Sequence, residues 1–136
     1  MKVYVDSSAL IKRAVAEAES ETLERVLERH AEAADALVSS TLAWIEISRA
    51  LRARLDGESH EVVNEAIDDA LAGIAERAIT PDVVSLARRI EPNALRTLDA
   101  IHLATAVLLD VDAVLTYDER LALAARHNGL AVSAPS

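Results

Sequence analysis

Short apolar segments of strand length alternate with helical segments along this chain of 136 residues. Four of them have the continuous apolar character of buried strands, at residues 3–6, 36–39, 113–116 and 130–132. A short edge strand is also expected at residues 78–80. Buried strands separated by helices are typical of an α/β layer structure around a mostly parallel sheet. In such folds, functional sites form beyond the carboxyl ends of the strands.

Helical periodicity fills the intervals, at residues 9–18, 20–33, 41–55, 58 to about 77, 81–91, 97–109 and 119–127. Ser7 or Ser8 is the expected N-cap of the first helix, because a short hydroxyl side chain satisfies a free amide group of the first turn. Thr80 and Pro81 are expected as the cap and first residue of the fifth helix. The inward stripe of the helix at 58–77 should be Val62, Val63, Ile67, Leu71 and Ile74.

The hydrophobic content of 51% is high for a chain of this length and allows one core. One domain across residues 1–136 is therefore expected. The absence of cysteine excludes a disulfide framework and thiolate metal sites. The chain opens without the charged and apolar regions of a secretory signal, and no apolar run approaches the roughly 20 residues of a membrane span. A cytoplasmic location without membrane contact is expected.

Four acidic residues occupy positions that the apolar pattern leaves unexplained. Asp6 and Asp118 follow predicted buried strands, and Asp99 lies in the most apolar helix. Glu46 lies at the edge of the apolar face of its helix. Charged side chains are rarely buried unless they are paired or bind a metal. Because carboxylate oxygens suit Mg²⁺ or Mn²⁺, the four acids together predict a divalent-cation site.

Three of these acids also have a local explanation as helix caps. Asp6 could cap the helix that follows it. Thr116 and Glu119, which flank Asp118, have the spacing of a capping box. Asp99 could be a water-exposed acid in a first turn, where the helix dipole favours a negative charge by about 0.3–1 kcal/mol.

Glu46 could instead be a boundary glutamate in a salt bridge with Arg49 or Arg96. The four local explanations are independent, and all of them would have to hold at once. One shared cation site is the more economical interpretation. Without metal, clustered carboxylates repel one another, so some of their pKa values must rise.

The net charge of −9 bears on the class of partner. Proteins that bind nucleic acid directly normally carry the opposite sign, so the acidity argues against a passive basic clamp on RNA or DNA. An enzyme that meets phosphate through bound cations is not excluded, because such ions are often the largest local charges in a site.

Four segments resemble the signature blocks of PIN domains, and in particular of VapC-type toxins of type II toxin–antitoxin pairs. The resemblance covers essentially the whole chain and rests on Val5-Asp6-Ser7-Ser8-Ala9-Leu10, Ser40-Thr-Leu-Ala-Trp-Ile-Glu46, Leu98-Asp-Ala-Ile-His-Leu-Ala-Thr-Ala106 and Leu115-Thr-Tyr-Asp118. It implies a three-layer α/β/α fold with strand order 3-2-1-4-5. It also implies Mg²⁺- or Mn²⁺-dependent endoribonuclease activity, a homodimer, and a small antitoxin that inserts into the acidic site.

The resemblance also implies roles for individual residues. Asp6, Asp99 and Asp118 would be the main metal ligands, and Glu46 a ligand through water or a general base. Ser7 and Thr116 match the family's hydroxyl positions near the metal. Two arginines, Arg96 and Arg49, could meet substrate phosphate, although a salt bridge to the same acids is the favoured interpretation. His102, about one turn beyond Asp99, is interpreted as a packed, hydrogen-bonded histidine and not as a catalytic one.

Two other classes of function are alternatives to the ribonuclease. An aspartyl phosphohydrolase or a phosphoacceptor domain also places an aspartate after its first strand, but both normally need a lysine late in the chain. No lysine follows Lys12. A non-catalytic PIN-like module that only binds a partner or RNA is disfavoured by retention of all four acids. An RNA reader that works by stacking is disfavoured because the chain has only three aromatic residues.

Overall fold

The computed structural model describes all 136 residues and contains five strands and seven helices. The strands are β1 Lys2–Val5, β2 Ala36–Ser40, β3 Ala75–Arg77, β4 Ala113–Leu115 and β5 Ala131–Ser133. The helices are α1 Ser7–Ala14, α2 Ser20–Glu32, α3 Thr41–Arg54, α4 His60–Leu71, α5 Pro81–Ala87, α6 Thr97–Leu108 and α7 Glu119–His127.

All five strands pair in parallel in one sheet, in the order β3-β2-β1-β4-β5. This confirms the parallel sheet that the pattern predicts and the strand order that the resemblance implies. Successive side chains of a strand point to opposite faces of the sheet. Accordingly, Val3 and Val5 pack into one hydrophobic cluster with α1 to α4, and Tyr4 packs into another with α6 and α7. The fold is therefore three-layered.

The strand register sets the edge at which the site lies. Tyr4 is aligned with Val38, and Val5 with Leu115, so β1, β2 and β4 end at the same edge. Each of these strands leads within a few residues into a helix, namely α1, α3 and α7. The residues at the strand ends therefore lie next to helix N-termini, where backbone N–H groups are free.

The fourth helix and the third strand differ most from the sequence prediction. The helix predicted at 58–77 ends at Leu71, and β3 lies at Ala75–Arg77, three residues before the edge strand predicted at 78–80. Gly73 has a φ of +76°, which ends the helix. Ile74 lies beyond the end of the helix but is buried, so its position matches the apolar period of the helix only by coincidence. Val62, predicted to face inward, is 44% exposed.

The helix ends also refine the prediction. The N-cap of α1 is Asp6 and not Ser7 or Ser8, and α1 ends at Ala14 instead of residue 18. The cap Thr80 and the first-turn Pro81 of α5 are confirmed, although α5 ends at Ala87 and not beside Pro92. No helix has the length and apolar character needed to cross a membrane.

Candidate active site

Three aspartates lie at helix N-termini along the carboxyl edge of the sheet. Asp6 is the N-cap of α1, and Asp118 is the N-cap of α7. Asp99 lies in the first turn of α6. The positive ends of three helix dipoles therefore favour negative charge at this edge.

Asp6 is the buried acid of the site, with 4% of its surface exposed. Its Oδ1 accepts hydrogen bonds from Ser8 Oγ at 2.7 Å and from the Ala9 amide at 3.3 Å. Its Oδ2 accepts one from Thr116 Oγ1 at 2.8 Å. Burial raises the pKa of Asp6 more than these donors lower it. The carboxylate is thus held firmly in place while its charge remains costly.

Two hydroxyl groups connect Asp6 to the strand end that carries Asp118. Thr116 Oγ1 donates to Asp6 and accepts from the Asp118 amide at 3.0 Å. Ser8 Oγ donates to Asp6 and accepts from the Tyr117 amide at 2.8 Å. Thr116 therefore positions site residues and does not form the capping box considered for α7. Ser8 was missed as a site residue, although its place two residues after Asp6 was a signal for it.

Asp118 and Asp99 are half-buried. Asp118 Oδ1 accepts from the amides of Arg120 at 2.9 Å and Leu121 at 3.2 Å, as a capping acid does. The pKa of Asp99 is raised, first by burial and then by the negative charge of Asp118. The two carboxylates therefore repel each other across the site.

Asp99 is less enclosed than the apolar composition of its helix suggests. The first turn of α6 lies at the open edge, where Leu98 is 50% exposed, and the buried residues of α6 begin at Ala100. Asp99 is therefore half-buried, between full enclosure and full exposure to water. Asp6, and not Asp99, is the acid that is hardest to explain without a counter-charge.

Glu46 is held by different partners from those predicted. Its Oε1 accepts hydrogen bonds from Ser7 Oγ and from His102 Nε2, both at 2.6 Å. Burial raises the pKa of Glu46, but these two donors outweigh it, and the pKa is lowered. The salt bridge expected with Arg49 or Arg96 does not form, and both arginines are exposed without an ion pair.

His102 is buried, with 3% of its surface exposed, which confirms the interpretation as a packed, hydrogen-bonded histidine. Its Nδ1 lies 2.5 Å from the hydroxyl of Tyr4, and that hydroxyl accepts a hydrogen bond from the Ser40 amide at 3.2 Å. Tyr4 was missed as a site residue. The available signal was a phenol inside an apolar strand, because a buried tyrosine hydroxyl needs a partner.

Cavities open on both sides of the acids. One, of about 450 Å³, runs from Thr116 and Asp118 along α7 to Arg126. Another, of about 560 Å³, lies between Ser7, Glu46 and the exposed side chains of Arg49 and Leu98. Both cavities therefore border the candidate site, one at Asp118 and the other at Glu46.

The acids at this edge are the type of ligand that a hard cation prefers. They offer carboxylate oxygens, and none of the three aspartates forms a salt bridge with a lysine or arginine. The three aspartates thus have no ion-pair partner, and the positive charge of Arg96 lowers the pKa of Asp99 by less than burial and Asp118 raise it. No three acidic or histidine side chains converge closely enough, as they stand, to hold one metal ion.

Comparison with known proteins agrees with the signature blocks. The PIN domain family model matches residues 3–127. The chain is 46% identical over 137 residues to Ribonuclease VapC46 of Mycobacterium tuberculosis, with 98% of each chain covered. Its fold is similar to VapBC2 of Rickettsia felis bound to a promoter DNA fragment, with a TM-score of 0.79, 10% identity and full coverage of both chains. It is also similar to a toxin-antitoxin complex from Klebsiella pneumoniae, with a TM-score of 0.68, 21% identity and 98% coverage of each chain.

Proposed function

We propose that this chain, which belongs to the PIN domain family and within it to the VapC ribonucleases, is a Mg²⁺- or Mn²⁺-dependent endoribonuclease. In this proposal it is the toxin of a type II toxin–antitoxin pair, and residues 1–136 form one PIN domain. The name of the relative that is 46% identical supports the ribonuclease activity. The metal dependence is argued from the site itself.

The observation that carries the metal dependence is the uncompensated charge at the carboxyl edge of the sheet. Asp6 is buried with a raised pKa, and Asp99 has a pKa raised by burial and by Asp118. Local donors fix Asp6 and Asp118 in direction without neutralising them. A divalent cation supplies the missing positive charge.

The proposed ligands are Asp6, Asp99 and Asp118. Bound Mg²⁺ or Mn²⁺ would supply an activated water for attack and positive charge for the phosphate oxygens. Asp6 is pre-oriented by Ser8 and Thr116, whereas Asp99 and Asp118 are half-buried at the open edge and can adjust to the ion.

Glu46 has a different proposed role, as a general base or a ligand through water. Its lowered pKa keeps it ionised at neutral pH, as a proton acceptor must be. Ser7 orients it through a 2.6 Å hydrogen bond. Arg49 and Arg96 are proposed to meet phosphates of the RNA, because both are exposed and form no ion pair.

The proposed partners are an RNA substrate, a cognate antitoxin and a second copy of this chain. The similar structure from Klebsiella pneumoniae is a toxin-antitoxin complex, which supports the antitoxin. The dimer follows from the resemblance to the family.

Cleavage of RNA by the purified full chain tests the function. The chain should cut RNA with Mn²⁺ and stop when EDTA is added. Asp118→Asn should lower the rate more than about 100-fold, a larger loss than removal of a residue that only supports a ligand. Asparagine is as good an N-cap as aspartate, so α7 should be retained. Asp68→Asn, which changes an exposed acid of α4, is the matched control and should leave the rate unchanged.

Cleavage that survives EDTA would contradict the metal dependence. Cleavage that survives Asp118→Asn would contradict the site. Tight RNA binding without cleavage under any divalent cation would instead support a non-catalytic PIN-like module.

A further inference from the structure

A chain of hydrogen bonds runs from the core of the molecule to Glu46. The Ser40 amide donates to the Tyr4 hydroxyl at 3.2 Å, and that hydroxyl lies 2.5 Å from His102 Nδ1. His102 Nε2 lies 2.6 Å from Glu46 Oε1, which also accepts from Ser7. Tyr4 and His102 are buried, with 0% and 3% of their surfaces exposed. This series of hydrogen bonds therefore reaches the edge of the site without passing through solvent.

The direction of these bonds follows from the groups at the two ends. At one end, the Ser40 amide can only donate, so the Tyr4 proton cannot point to it. The neighbouring hydroxyl, Ser39 Oγ, makes no hydrogen bond. The remaining acceptor for the Tyr4 proton is His102 Nδ1. The phenol carries its proton at neutral pH, as tyrosine side chains ordinarily do.

The Glu46 end of this series of hydrogen bonds indicates the same donor-to-acceptor direction. Glu46 is a carboxylate at neutral pH, because carboxyl side chains ordinarily ionise well below it, and a carboxylate only accepts hydrogen bonds. His102 Nε2 must then carry a proton and donate a hydrogen bond to Glu46. With Nδ1 accepting and Nε2 donating, the imidazole is fixed in one tautomer, because the bond at one ring nitrogen decides the state of the other.

We propose that Tyr4 and His102 are positioning residues for Glu46, in which Tyr4 fixes the Nε2–H tautomer of His102 and His102 fixes the direction of the Glu46 carboxylate. Neither residue touches the RNA. Ser7 alone cannot do this, because one flexible hydroxyl leaves the carboxylate free to rotate about its own bond. The part of the inference that concerns catalysis rests on the proposed ribonuclease function.

Two substitutions of His102 separate positioning from mere packing. In His102→Gln the side-chain amide reaches the place of Nε2 and can still donate to Glu46. In His102→Asn the shorter amide reaches the place of Nδ1 and leaves Glu46 with Ser7 alone. We expect kcat to fall by about 10- to 100-fold in the asparagine variant, as for other outer partners of a site. KM should be unchanged, and the glutamine variant should keep most of kcat.

Tyr4→Phe removes the donor to Nδ1 at nearly constant volume. His102 can then take the Nδ1–H tautomer, which turns a lone pair toward Glu46, so kcat should fall as in His102→Asn. Thermal melting of all three variants checks that they are folded. Equal losses of kcat in the glutamine and asparagine variants would overturn the positioning role.

Nitrogen-15 NMR of His102 in the intact wild-type chain tests the tautomer without any activity. Nδ1 should be unprotonated and Nε2 protonated at neutral pH, and Tyr4→Phe should shift both signals. A protonated Nδ1 in the wild type would overturn the inference even if RNA is cleaved. An inactive wild type with the expected tautomer would instead count against the proposed function. The carboxyl carbon-13 shift of Glu46 in the two His102 variants would then decide the positioning.

Discussion

The two sides of the candidate site handle negative charge in opposite ways. On one side, the protein stabilises Glu46 as a carboxylate, since His102 and Ser7 both donate to the same oxygen and the pKa is lowered despite burial. On the other side, Asp6 and Asp99 have raised pKa values, and Asp118 adds to the repulsion. All of these acids lie near the same edge of the sheet.

The difference indicates which acids need an external cation. The donors to Glu46 outweigh the cost of its burial, so it gains least from a bound ion. At Asp6 the hydroxyl and amide donors fix the direction of the carboxylate but do not outweigh the cost of burial. Carboxylates that are placed firmly and left repelling one another lower stability in the absence of metal, as is common where function requires a strained site.

The strongest test of this comparison is metal binding by the aspartate side. Mn²⁺ should raise the melting temperature of the wild type and leave that of Asp6→Asn unchanged, because the buried ligand is lost while asparagine retains the cap of α1. RNA cleavage should fall more than about 100-fold. Asp68→Asn, the exposed control, should respond to Mn²⁺ as the wild type does. An unchanged response in Asp6→Asn would remove Asp6 from the metal site.

A smaller effect is expected on the Glu46 side, and it concerns stability in the absence of metal. Glu46→Gln should lower the free energy of unfolding at neutral pH by about 1.5 kcal/mol, the worth of a hydrogen bond to a charged group. Because its folded-state pKa is lowered, Glu46 stabilises above its usual pKa of 4.5, and the effect should disappear as the pH falls through the folded value.

Urea unfolding at several pH values measures this effect, with the exposed Glu28→Gln as the matched control. Mn²⁺ should still raise the melting temperature of Glu46→Gln, as it does that of the wild type. If that stabilisation vanished as completely as in Asp6→Asn, Glu46 would belong with the aspartates and the contrast between the two sides would fail.

The smallest effect has the opposite sign. Asp99→Asn should raise the free energy of unfolding of the metal-free protein at neutral pH by about 0.5 kcal/mol, the scale of one like-charge pair. A raised folded-state pKa means that stability falls as the pH rises above the usual value of 3.8. The free energy of unfolding of Asp99→Asn should therefore fall less steeply as the pH rises over that range. Asp82→Asn, in the exposed first turn of α5, is the control, and a destabilised Asp99→Asn would contradict the repulsion.

Much of the fold could be predicted from the sequence because buried strands and helix caps are local patterns. The strands β1, β2, β4 and β5 lie within about one residue of their predicted positions, and the cap at Thr80 is confirmed. The third strand was misplaced because Ile74 continues the helical period past Gly73, and only the pairing of Ala75 with Val38 identifies β3. Asp99 is only half-buried in the most apolar helix, since apolar composition does not say where a helix emerges from the core.

The sequence alone determined that Asp6 and Asp118 would share one edge. Parallel strands with aspartates after their carboxyl ends must bring those aspartates together. Only the tertiary structure decided how each acid is held. Tyr4 and His102 are 98 residues apart, and His102 and Glu46 are 56 apart, yet one chain of hydrogen bonds joins them. Sequence patterns constrain neighbours along the chain, whereas a hydrogen bond requires a donor and an acceptor within about 3 Å in space.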